Sequence, residues 1–327
     1  MLRRYAYAMV DHWADIISTE FSKVEDTIMG ALSSDNKELD EMCKYVISSG
    51  GKRVRPAVCI LAYLACGGKD TSIPVTVGAG FEILHTASLV HDDIDDNGEI
   101  RRGRKTLHKQ YSLTKALVAG DYMLVRGYRC LGRLPEEPMD LIIKAAGMMV
   151  ESEFIQKDFE HNLDVTVDDY LEIITGKTAM LIVASAVTGA YLATENTEWI
   201  EAINEYSTKI GLAFQMVDDI LDVIGTSNTG KKIGIDISEG KPTLPTIYAM
   251  QHPELGQEVR DVYSRVPTDA DVIRALDLIR LTGAIDQCYT KADEVILEAI
   301  DALSVLPDSE YKQSLIGLAK YIVRRNR

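Results

Sequence analysis

No proline interrupts the chain between Pro138 and Pro242. Proline breaks the helical hydrogen-bond ladder, so so long a stretch without it favours long helices over a sheet with frequent turns. The apolar spacing agrees. Thr166, a residue suited to capping with Asp169 three positions on, precedes Val167, Tyr170, Leu171, Ile174, Ala179 and Leu181, mainly three or four apart. The same spacing predicts helices over residues 4–29, 36–48, 53–66, 74–96, 111–133, 139–162, 166–192, 197–225 and 268–305, and alternation of period two is nowhere sustained. An all-α fold follows, read as a single domain over residues 1–327 because no linker or repeat divides the chain. Residues 225–245, with four glycines and three lysines, are the expected mobile loop.

Composition narrows the function. With 46% hydrophobic residues in 327, the chain can bury a large core. Its 35 Lys and Arg against 50 Asp and Glu give a net charge of −15, the wrong sign for gripping a nucleic-acid backbone. Cys43, Cys59, Cys66, Cys130 and Cys288 form no C-x-x-C pair and sit mostly among apolar neighbours, which suits reduced, buried thiols in the cytoplasm. The most apolar run, residues 179–193, is shorter than the roughly 20 residues of a spanning helix and carries Ser185, Thr188 and Gly189, so no transmembrane segment is expected. Arg3 and Arg4 are followed by Asp11, His12 and Asp15, which break up any signal-peptide hydrophobic region.

Chemistry concentrates in two acidic clusters. With 50 acidic residues, about one such triplet arises by chance, so the flanks decide. Asp92, Asp93, Asp95 and Asp96 end one apolar helical stretch, and Asp92 and Asp96 share a helix face about 6 Å apart along the axis. Their repulsion would be relieved by a divalent cation, and oxygen-only ligands suit Mg²⁺. Asp218, Asp219 and Asp222 repeat the D-D-x-x-D spacing 126 positions later (218 minus 92), again at the end of an apolar helix. Arg101, Arg102 and Arg104 follow the first cluster; Lys231, Lys232 and Lys241 follow the second. Cations beside carboxylates in so acidic a chain point to a polyanion, and diphosphate fits. A third motif, Gly50-Gly51-Lys52-Arg53-Val54-Arg55-Pro56, places cations at a helix start where backbone N–H groups also attract anions. It lacks the P-loop pattern and reads as a second diphosphate pocket.

The ordered set GGKRVRP, HDDIDDNGEIRRG, GKT at 176–178, FQMVDDILD and GKKIGIDISEGK resembles the trans-isoprenyl diphosphate synthase (polyprenyl synthetase) family from Gly50 to Lys241. The resemblance implies a bundle of long, mostly antiparallel helices around a central cavity, a homodimer, and condensation of isopentenyl diphosphate with an allylic diphosphate. It further implies that Asp92, Asp96 and Asp218 hold Mg²⁺, with Asp93 and Asp222 as weaker ligands or supporting groups. Lys177, Lys232, Lys241, Arg101, Gln215 and Thr178 would complete the shell of the allylic diphosphate. Lys52, Arg55, His85 and Arg102 would hold isopentenyl diphosphate without metal. The released diphosphate would take the final proton.

Departures from the family pattern stand at Asp95, an added carboxylate, and at Ser152, where glycine is usual; the latter blurs the roles of Glu153 and Gln156. His91, among Leu89 and Val90, reads as a core histidine. Ala87 and Ser88 lie five and four positions before Asp92 and are small, which resembles members making products of C20 or longer. A terpene cyclase or squalene-synthase-like enzyme would share the helices and magnesium but would not need GGKRVRP. A non-catalytic partner subunit would be expected to lose site residues, and the principal ones are present.

Overall fold

In the computed structural model, residues 13–225 and 233–324 are described. The helices are α1 (Ser18–Ala31), α2 (Lys37–Ile47), α3 (Val54–Ala65), α4 (Ser72–Asp95), α5 (Leu107–Gln110), α6 (Leu113–Leu131), α7 (Glu136–Asp158), α8 (Val167–Ile174), α9 (Met180–Ala193), α10 (Thr197–Ile224), α11 (Ile235–Ser238), α12 (Leu244–Met250), α13 (Gly256–Tyr263), α14 (Asp269–Leu281), α15 (Ala284–Ala302) and α16 (Glu310–Arg324). The fold is all-α. Among the described residues the only sheet is a hairpin of β1 (Ile100–Arg101) and β2 (Arg104–Lys105), too short to show as sequence alternation.

Most expected helices stand within a few residues of their predicted ends, and the differences have local causes. The helix expected over 4–29 is described from Ser18, after one 3₁₀ turn; residues 1–12 lie outside the described residues. The span 268–305 divides at Gly283, whose φ of +73° a continuous helix does not allow. Thr166 caps α8 with Asp169 as its spacing suggests: the Asp169 N–H donates to Thr166 Oγ1 at 3.2 Å, and the Thr166 N–H to the Asp169 carboxylate at 2.9 Å. Between α8 and α9 the backbone widens into a π turn, Thr175–Ala179. The described part of the expected mobile loop is not loop throughout, since it contains α11 and the start of α12. Residues 226–232 lie outside the described residues.

The chain forms two compact units, residues 1–143 with 184–204 and 305–317, and residues 144–183 with 205–304 and 318–327. In the first, α4 packs most heavily on α6 and also on α3 and α1. Phe81, Ile83 and Ala87 of α4, Ile60 and Leu61 of α3, and Met123 of α6 are fully buried there. In the second, α12, α13, α14 and α15 surround a core that includes Met250, Val259, Tyr263, Ile279 and Ala284. Helix α4 and the stretch 167–193 are each long and apolar enough to cross a membrane, and both are mostly buried within the protein.

Within the first unit α9 lies directly on α3. A Cβ on Gly189 would fall 2.1 Å from the Cys59 carbonyl oxygen, a backbone atom that cannot swing aside. Alanine is otherwise the better helix former by about 1 kcal/mol, so the two effects oppose each other. Overpacking should win, and Gly189→Ala is expected to lower stability by about 3 kcal/mol or more. Urea unfolding followed by circular dichroism measures this; an unchanged or raised midpoint would show that α9 and α3 can separate freely.

Candidate active-site residues in the two units

In the first unit the GGKRVRP motif forms a left-handed turn into α3. Arg53 takes φ +51°, ψ 40° immediately before the helix, an unfavourable conformation for a residue with a Cβ. Its side chain compensates: Nε and Nη2 donate to the Glu25 carboxylate (2.6 and 3.2 Å), Nη1 to Glu82 Oε1 at 2.9 Å, and Nη2 to the Ile47 carbonyl at 3.3 Å. Gly51 lies close beside it: a Cβ there would sit 2.9 Å from an Arg102 guanidinium nitrogen and 3.0 Å from one of Arg53. Lys52 is exposed. Arg55 points inward, its Nε buried without a hydrogen-bond partner, and burial lowers its pKa to about 10. His85 stands among these cations. Burial first, then Arg55, Arg102, Arg101 and Arg53, hold its pKa well below the usual range, so the imidazole is neutral at pH 7.

The first acidic cluster ends α4. Asp93 is buried and accepts from Arg101 Nε at 2.7 Å; burial raises its pKa while Arg101 opposes the rise. The hairpin that carries Arg101 and Arg102 is fastened to α2, with Tyr45 Oη donating to the Lys105 carbonyl at 2.8 Å and Arg104 to Ser48 Oγ at 2.9 Å. Asp92 is half-buried, and Asp95 and Asp96 are exposed. Ala87 is fully buried and Ser88 half-buried. His91 is not the core histidine expected: its side chain is 29% exposed, with Nε2 3.3 Å from the Leu117 carbonyl and 3.6 Å from Asp121, because Gly120 leaves room for the ring at the surface of α6.

In the second unit the π turn carries Lys177 and Thr178. Lys177 Nζ lies 2.7 Å from Glu153 Oε2 and donates to Gln156 Oε1 at 2.6 Å, so both α7 residues serve as its partners. Ser152 covers Gly176: a Cβ on Gly176 would fall 1.9 Å from Ser152 Oγ. Thr178 Oγ1 donates to Gln215 Oε1 (2.8 Å), Gln215 Nε2 to Asp219 Oδ1 (2.8 Å), and Tyr170 Oη to Asp219 Oδ2 (2.6 Å). The Thr178 proton is therefore committed to Gln215. Asp218 is half-buried. Asp222 accepts from the backbone N–H groups of Ile235 and Asp236, both at 3.2 Å, and so caps α11. Lys241 is buried with Nζ 2.7 Å from Glu239 Oε2. Lys232 lies outside the described residues.

The metal donors expected from sequence thus divide between the units, Asp92, Asp93 and Asp96 in the first, Asp218 and Asp222 in the second. Among the described residues, no group of three or more His, Cys, Asp or Glu side chains is gathered as a ready-made metal site. Oxygen donors supplied in ones and twos still fit Mg²⁺, which keeps several waters and takes further ligands from substrate phosphate. Tyr170, Glu82 and Glu239 were not singled out by sequence, and Arg53 was read only as one cation of the GGKRVRP motif. Glu82 had a legible signal, lying three positions before His85 on the same helix face; Tyr170 read as one more apolar position.

The polyprenyl synthetase family model matches residues 36–279. The chain is 35% identical to the all-trans-nonaprenyl-diphosphate synthase (geranyl-diphosphate specific) of Rhodobacter capsulatus over 94% of this chain and 96% of that protein. It is 34% identical to the geranylgeranyl diphosphate synthase of Methanosarcina mazei over 88% of this chain and 90% of that one. A crystal structure of polyprenyl synthase from Caulobacter crescentus CB15, complexed with calcium and isoprenyl diphosphate, superposes with a TM-score of 0.91 at 30% identity, covering 97% of this chain and 98% of that one.

The buried second cluster predicts a pH effect. Burial pushes Asp219 up to about 7, against hydrogen bonds from Tyr170 and Gln215 that lower it. A carboxyl whose folded pKa exceeds its unfolded value of about 4 holds a proton only in the folded state between those limits, so stability falls as pH rises through that window. The metal-free protein should lose up to about 1.4 kcal/mol per pH unit there from this group. Asp219→Asn should flatten the slope of urea stability between pH 4 and 7; a slope identical to wild type would show that Asp219 is ionised throughout.

Proposed function

The chain belongs to the polyprenyl synthetase family, and on that premise we propose that it condenses isopentenyl diphosphate with an allylic diphosphate to an all-trans polyprenyl diphosphate. It is a trans-prenyltransferase. The observation that carries the reading for its substrates is the first unit's cluster of cations: a half-buried Arg55 whose buried Nε lacks a partner, beside neutral His85 and Arg102. Such a cluster suits a diphosphate bound without metal. Two separate diphosphate sites distinguish chain elongation from cyclisation of one substrate.

The reaction must break an allylic C–O bond heterolytically, and fixed positive charge has to stand where the diphosphate charge develops. In this proposal Asp92, Asp96 and Asp218 would hold Mg²⁺, with Asp93 and Asp222 supporting them. Magnesium there would supply positive charge to the leaving diphosphate. Lys177, Lys232, Lys241 and Arg101 bind that diphosphate directly, while Gln215 and Thr178 order the turn beside it. Lys52, Arg55, His85 and Arg102 bind isopentenyl diphosphate and aim its double bond at the allylic carbon. His85, neutral, donates a hydrogen bond rather than charge. The product is C20 or longer, a reading supported by the small Ala87 and Ser88.

The reading of one domain over residues 1–327 is kept, with the family model matching 36–279, across residues of both compact units. The cytoplasm suits five cysteines that are all unpaired. The working form is a homodimer: α6 exposes Leu113, Leu117, Val118 and Val125, each 45–66% accessible, an apolar surface that a second copy would cover.

Purified protein alone, given labelled isopentenyl diphosphate with dimethylallyl, geranyl or farnesyl diphosphate, should make elongated products that vanish with EDTA. No incorporation with any primer would turn the assignment to a cyclase or a partner-dependent subunit. In the same assay Ala87→Phe should shorten the product by at least one isoprene unit; an unchanged product distribution would remove Ala87 as the length-setting position.

A further inference from the structure

Tyr170 is a buried polar side chain in contact with the second aspartate cluster, and it carries no role in the mechanism above. It sits on α8, seven residues before Lys177, and α8 runs directly into the π turn. Two hydrogen-bonded rungs join this helical stretch to α10: Tyr170 Oη to Asp219 Oδ2 at 2.6 Å, and Thr178 Oγ1 to Gln215 Oε1 at 2.8 Å. The rungs are themselves joined by Gln215 Nε2 to Asp219 Oδ1 at 2.8 Å. All four residues lie in the second unit, and Tyr170, Asp219 and Thr178 are each less than a tenth exposed.

The direction of the bonds in this chain follows from one acceptor. Asp219 accepts at both carboxyl oxygens, from Tyr170 Oη and from Gln215 Nε2, and so draws the Gln215 amide N–H toward it. That turns Gln215 Oε1 to the other side, where it accepts the Thr178 hydroxyl. Tyr170 occupies the second carboxylate oxygen and so holds Asp219 in place against its neighbours Asp218 and Asp222, which repel it. A π turn is less well bonded than an α-helix and is often found where a side chain must be aimed. This one bears Lys177, and the Thr178–Gln215 rung falls within it.

We propose that Tyr170 is a positioning residue for the allylic diphosphate: through Asp219 and Gln215 it fixes the Thr178 side of the π turn, and thereby the direction in which Lys177 is presented. The inference rests on the prenyltransferase reading. Tyr170 touches no substrate itself, so its removal acts only through the turn. Isopentenyl diphosphate, held by residues of the other unit, is unaffected.

The test uses the full chain and four proteins: wild type, Tyr170→Phe, Asp219→Asn and the double variant. Tyr170→Phe removes one hydrogen bond to a buried carboxyl and should raise KM for the allylic substrate about tenfold, with KM for isopentenyl diphosphate within about twofold. Calorimetry with inorganic diphosphate and Mg²⁺ should show affinity weakened by a similar factor, independently of turnover. Asp219→Asn, which keeps the shape but leaves one acceptor oxygen where Tyr170 and Gln215 need two, should reproduce the selective loss and decides the matter if Tyr170→Phe fails to fold. Because both act through one chain, adding Tyr170→Phe to Asp219→Asn should change either readout by less than about twofold. Equal rises in both KM values, full additivity, or a folded Tyr170→Phe indistinguishable from wild type would overturn the proposal. A wild type that binds diphosphate yet elongates nothing would sink the prenyltransferase reading instead, and the calorimetric comparison would still decide the role of Tyr170.

Discussion

A charge buried without a partner costs several kcal/mol, and breaking a buried pair costs about 3–5; the candidate site is arranged around that constraint. Under the proposed function, cations and carboxylates must be accommodated while no diphosphate is bound. Here most of them rest against a group of the same unit. Glu25 and Glu82 hold Arg53, Glu153 and Gln156 hold Lys177, Glu239 holds Lys241, and Arg101 holds Asp93. Arg55 differs, since its Nε is buried without any hydrogen-bond partner, and its lowered pKa registers the cost. An anion that reached it would recover that cost, which is why Arg55 carries the proposed diphosphate reading.

These contacts depend on backbone devices. Arg53 and Arg102 both take φ +51°, where most side chains do not go. The Arg53 turn is retained because four hydrogen bonds from one guanidinium oppose the backbone cost. Arg102 is carried on a hairpin that Tyr45 and Arg104 tie to α2. In the second unit the π turn does the equivalent task, with Lys177 bound to α7 and Thr178 to α10. Ser152 belongs to the same arrangement: its hydroxyl fills the space that Gly176 leaves by lacking a side chain. With serine at 152, Glu153 and Gln156 both reach Lys177.

The helices were legible because apolar spacing and capping residues are local properties, and Thr166 with Asp169 forms the box its spacing suggests. The motifs were legible because charge beside charge is rare in apolar surroundings. What did not show was of two kinds. The hairpin is two residues a side, below any periodic signal, and the break at Gly283 is a single dihedral. Partners such as Glu25 for Arg53 and Tyr170 for Asp219 are 28 and 49 residues apart in sequence, so only the fold brings them together. Product length belongs with these. The motifs encode charge, whereas length depends on the volume left by a few apolar side chains. Relatives of nearly equal identity, 34% and 35%, are named for geranylgeranyl and nonaprenyl products accordingly.

The two D-D-x-x-D clusters invite a reading in which three carboxylates in each do the same thing, and helix geometry argues otherwise. Residues i and i+4 share a face, while i+1 is turned about 100° away. In both clusters the middle aspartate takes that other direction and is buried: Asp93 is 8% exposed and Asp219 4%. Each is bound by donors of its own unit, Asp93 by Arg101, Asp219 by Tyr170 and Gln215. The first members, Asp92 and Asp218, remain half-buried on the other face. The last members then part ways, since Asp96 is exposed at the end of α4 while Asp222 caps α11. A repeated motif has thus become two different constructions with one common element, an inward carboxylate whose partners orient the cations and amides around it.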